Sequence, residues 1–85
     1  MDSEDINEVE TNILAIRLKV LGLNYRKEKA MSLTEFYECS KLIRKERDDL
    51  IRSLEQYKKL EQKHQLPVRL EYRSALRSLV GKKKR

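Results

Sequence analysis

Met31-Ser32-Leu33-Thr34-Glu35-Phe36 decides the fold. Ser32 and Glu35 have the spacing of a capping box. In that motif a serine hydroxyl takes the N–H three residues on, and a glutamate reaches back to the N–H groups at the helix entrance. Met31 and Phe36 stand at the two positions of a hydrophobic staple. A helix therefore starts at Leu33, and whatever precedes it is a separate element.

Before that start, Ile6, Val9, Ile13, Ile16, Val20 and Leu23 recur at alternating spacings of three and four. This is a continuous apolar seam on a helix. Asp2 or Ser3 is expected to cap it, with Glu4, Asp5 and Glu8 at the positive end of its dipole. A second stripe, Leu14, Leu18, Leu21 and Tyr25, runs down another face of the same helix. Two stripes call for more than one neighbour. Gly22 is either a helix interior position, costing about 1 kcal/mol relative to Ala, or the helix stop.

After Ser32 the second helix is expected to run to about Gln65, ahead of Leu66-Pro67. Its seam is Leu33, Phe36, Ile43, Leu50, Leu54 and Tyr57, widened by Tyr37, Cys39, Leu42, Ile51 and Leu60. Ser40, Arg47 and Glu61 interrupt the seam, so two parallel copies would make a poor zipper. Folding of helix 1 on helix 2 fits better and leaves helix 2 overhanging beyond Tyr57. Pro67 suits the first turn of a third helix with Tyr72, Ala75, Leu76, Leu79 and Val80 on its apolar face, ending at Gly81. That face either folds back on Tyr57 and Leu60 or meets a partner. The expected fold is all-α: an antiparallel, coiled-coil-like helical hairpin over residues 1–66, then a basic helix and tail over residues 67–85.

With 85 residues there is room for one small core. Two glycines and one proline are too few to punctuate a sheet. The net charge of +6 is unevenly spread. Residues 1–16 hold acids and no base, and residues 17–31 are mainly basic. In residues 66–85 only Glu71 offsets Arg69, Arg73, Arg77, Lys82, Lys83, Lys84 and Arg85. The three arginines recur every four residues, as on one helix face, and the tail follows them. Such a set suits phosphates or an acidic protein surface.

Catalysis finds no support. Cys39 and His64 are about 37 Å apart along a continuous helix. One cysteine and one histidine cannot build a protein zinc site. No glycine-rich loop cradles a phosphate. No cofactor and no small-molecule substrate is expected. The apolar run Ile13–Val20, broken by Arg17 and Lys19, is far short of the roughly 20 residues of a membrane span. The single cysteine and the lack of a signal-type apolar segment point to the cytosol, or to the nucleus of a eukaryotic cell.

The six residues Glu46-Arg47-Asp48-Asp49-Leu50-Ile51 resemble part of the motif helix of small hairpin phosphatases that act on response regulators. Arg44 and Lys45 stand in place of the Ser-Gln that opens that motif, and Arg47 in place of its Leu. No residue role carries over. The expectation is a non-catalytic interaction or assembly protein. Leu14, Leu18, Leu21 and Tyr25 would meet a protein partner or a second copy, and the basic end would meet nucleic acid. The alternative is a regulator or inhibitor whose basic end docks on an acidic protein.

Overall fold

The computed structural model describes residues 5–83. They form three helices, α1 (Ile6–Glu28), α2 (Leu33–His64) and α3 (Leu70–Lys83), and no strand. At about 1.5 Å per residue, α2 is about 48 Å long. That matches the longest dimension of the molecule, 48 Å.

Asp5 caps α1, accepting from the Asn7 N–H at 3.0 Å. The expected caps, Asp2 and Ser3, lie outside the described residues. The helix continues through Gly22 to Glu28, so the glycine is an interior position and not a stop. A short connection, residues 29–32, leads to α2. There the Ser32 hydroxyl accepts from the Glu35 N–H at 3.2 Å, as the capping box requires. The Glu35 carboxylate accepts from the Met31 N–H at 3.3 Å, one residue earlier than in the usual motif. The staple does not form, because Met31 is 93% exposed. Phe36 instead lies under the Lys27 ammonium, 4.9 Å from the ring centre.

The α1 and α2 helices pack closely along their length. Val9 and Ile13, near the start of α1, share one cluster with Leu50, Leu54, Tyr57 and Leu60, in the second half of α2. The rest of the α1 seam, Ile6, Ile16, Val20 and Leu23, is half-buried. Near residues 29–32 there are only two helices, and two helices bury only the line between them. Cys39 and Ile43 lie on that line and are buried. Leu33 and Phe36, expected on the seam, are exposed.

At the other end α3 supplies a third wall. Tyr72 enters the cluster, and Ala75, Leu76 and Leu79 pack against it. The Tyr57 and Tyr72 rings meet edge to face with centroids 4.8 Å apart. Of the two expectations for α3, folding back on α2 is the one realised.

Two boundaries of α3 differ from expectation. Gln65 ends α2 in the left-handed region, φ 53°, and the Leu66 N–H closes on the Glu61 carbonyl at 2.9 Å. Pro67 therefore lies in the connection, and α3 starts at Leu70 after Arg69, whose carbonyl accepts from the Tyr72 and Arg73 N–H groups. Gly81 does not stop α3, because its φ is not positive and the helix continues to Lys83.

Ser32→Ala removes an N-cap bond and should lower stability by about 1 kcal/mol. Urea denaturation followed by circular dichroism measures this, and Ser32→Asp should retain most of the stability. Equal stability of the wild type and the alanine variant would contradict the role of the cap.

Candidate interaction surfaces

Glu61 occupies a seam position of α2, one turn beyond Tyr57, and is 2% exposed. A carboxylate placed there is costly unless its oxygens are satisfied. Both are. One accepts from the Arg69 backbone N–H at 2.8 Å, and the other from the Arg73 guanidinium at 3.2 Å. Arg73 is itself largely covered, and its Nε is buried without a partner.

Two further ion pairs tie the start of α3 to α1. The Arg69 guanidinium contacts the Glu10 carboxylate and lies over the Tyr72 ring, 5.2 Å from its centre. Arg17 approaches Glu71 at 3.8 Å on the surface. Burial pushes both phenols, Tyr57 and Tyr72, above the ordinary value of 10.0. The Glu10 carboxylate pushes Tyr72 further the same way, whereas the Arg69 guanidinium pulls both phenols back.

This geometry divides the arginines that sequence spacing put on one face. Arg69 falls before α3 and turns to α1. Arg73 turns to α2. Arg77 is exposed. It borders an open cleft of about 440 Å³ between α2 and α3, with Lys58, Val68 and Val80. Lys82 and Lys83 belong to the backbone of α3, and Lys84 and Arg85 lie outside the described residues.

The second stripe of α1 stays uncovered. Leu14, Leu18, Leu21 and Tyr25 are 53%, 69%, 67% and 63% exposed. Beside it, between α1 and α3, runs a groove of about 320 Å³ lined by Val20, Leu21, Leu50, Ala75 and Leu79. Together these make an apolar surface along α1 that borders α3.

Cys39 is buried near the start of α2, and His64 is exposed at its end. They do not meet. Among the described residues no three His, Cys, Asp or Glu side chains converge as metal ligands. Among the same residues no helix is long and apolar enough to cross a membrane.

Sequence reasoning took Glu61 for a mere interruption of the seam. The signal that could have found its role is a seam acid followed, across a proline, by arginines eight and twelve residues later. No protein-family model matches the chain, and no curated protein and no solved structure matches it.

The raised phenols set an alkaline limit on stability. A phenol whose folded pKa exceeds its unfolded value stabilises the fold fully below about pH 10. That contribution is lost as pH rises through the folded value. Stability measured by urea denaturation should fall as pH passes 10, and Tyr57→Phe should flatten the fall. An equally steep fall in the variant would contradict the assignment.

Proposed function

We propose that this chain is a non-catalytic helical interaction module that docks a protein partner on the outer stripe of α1. In this reading α1 and α2 form an antiparallel, coiled-coil-type hairpin that holds the stripe rigid and straight. The observation that carries it is the exposure of Leu14, Leu18, Leu21 and Tyr25, each more than half open to solvent on a well-packed helix. Scattered exposed leucines need no explanation, but four large apolar side chains in line on one face are the usual mark of a binding surface. Their spacing of four, three and four suits a facing helix.

A second reading concerns the basic end. Arg77 is exposed and precedes the Lys82–Arg85 run, which favours contact with a polyanion such as nucleic acid. Arg69 and Arg73 contribute less than their charge suggests, since each already holds a carboxylate. An acidic protein surface would meet the same groups, as the regulator or inhibitor alternative requires.

The test compares tagged full-length chain with Leu18→Asp/Leu21→Asp, both recovered from the native host. The wild type should carry a stoichiometric protein partner or untagged copies of itself, and the variant should lose them while keeping its helical circular dichroism. An identical set of bound proteins would contradict the docking reading. Titration of labelled duplex DNA at two salt concentrations tests the second reading. Absence of binding at low salt would remove it.

A further inference from the structure

We infer that the outer stripe of α1 is covered by the same stripe of a second copy, running antiparallel about a two-fold axis that passes between Leu18 and Leu21. This rests on the docking reading above and names its partner.

The stripe maps onto itself under that operation. Leu14 faces the partner's Tyr25, and Leu18 faces the partner's Leu21, so four side chains from each copy make four apolar pairs. A two-fold interface requires this self-complementarity.

Gly22 supplies an independent observation. It lies in the interior of α1, where glycine costs about 1 kcal/mol relative to alanine. Nothing among the described residues explains it, for a Cβ built there would meet none of their atoms within 4 Å and its φ is not positive. Gly22 and Ala15 flank the stripe on the side away from α3. In the antiparallel register, Ala15 of one copy lies opposite the partner's Gly22, twice over. A glycine against an alanine lets two backbones approach closely. The requirement that is missing inside one chain is thus met between two.

Charge fixes the direction. On that same flank Glu8 lies opposite the partner's Lys29, again twice. The Lys29 ammonium already sits 5.5 Å from the Tyr25 ring centre, at the end of the stripe. The α1 helix is acidic up to Glu10 and basic from Arg17 onward. A parallel pair would set like charge against like along its length, and an antiparallel pair sets opposites together. The other flank carries α3 and the groove to which Leu21 contributes, so the partner helix also covers part of that groove.

Sedimentation equilibrium on the purified full-length chain, from about 1 µM to about 1 mM, spans the affinities open to a surface of this size. A monomer–dimer equilibrium is expected. Leu18→Asp/Leu21→Asp should be monomeric throughout, with unchanged circular dichroism. Gly22→Leu adds helix propensity and apolar area, so general stickiness would tighten association. Close approach predicts at least a tenfold loss instead. Glu8→Lys and Lys29→Glu should each weaken the dimer, and the double swap should restore it.

A wild type that stays monomeric overturns the inference, as does a dimer indifferent to the Leu18/Leu21 change. Tighter association of Gly22→Leu, or failure of the charge swap to restore the dimer, overturns the proposed register. If the purified chain is monomeric but Leu18→Asp/Leu21→Asp still strips partners from the host extract, the docking reading stands and the second copy is excluded. If neither effect is seen, both fail.

Discussion

The carboxylate of Glu61 is the constraint on which the rest of this structure depends. Apolar contacts hold helices together without specifying direction, because hydrophobic burial is non-directional. Glu61 adds direction. One oxygen fixes the backbone of Arg69 and the other the guanidinium of Arg73, so both the entry point of α3 and its rotation are set from a single residue of α2. Removing either partner would leave a buried polar group unsatisfied, at a cost of about 1–3 kcal/mol, more where it is charged. That penalty is a sizeable fraction of the stability margin of a small domain. Other placements of α3 would forfeit this pairing together with the apolar contacts of Tyr72, Leu76 and Leu79.

The clamp also decides which charges face outward. Arg69 and Arg73 are drawn into the fold, and Arg77 is left exposed. With α3 docked on α2 and tied to α1 by side-chain ion pairs, the outer stripe remains open and borders an apolar groove. Which arginines remain exposed thus follows from where the third helix is held.

Much of the architecture was legible from local rules. Ser32 and Glu35 announced the start of α2 because capping depends only on neighbours in sequence. The spacing from Ile6 to Leu23 gave the buried face of α1, whereas the stripe from Leu14 to Tyr25 called for a second neighbour and stands exposed. Gly22 was undecidable from sequence, since propensity alone cannot tell an interior glycine from a stop. Glu61 was misread because seam patterns count an acid as a defect, and its partners come from across a connection. The same carboxylate explains the error at Pro67. By binding the N–H of Arg69 it places the start of α3 beyond the proline. Met31 and Phe36 had the right spacing for a staple, but Phe36 has Lys27 over its ring, and nothing draws Met31 inward.

Native-state hydrogen exchange of the α3 amides, in the wild type and in Glu61→Leu, tests the central claim most directly. The leucine keeps the site filled and removes both acceptors. The account predicts that α3 is protected in the wild type and that its amides exchange at least tenfold faster in the variant. The α1 and α2 amides around Ile13 and Leu50 should keep most of their protection. Unchanged protection of α3 in Glu61→Leu would contradict the account, because α3 would then be held by apolar packing alone.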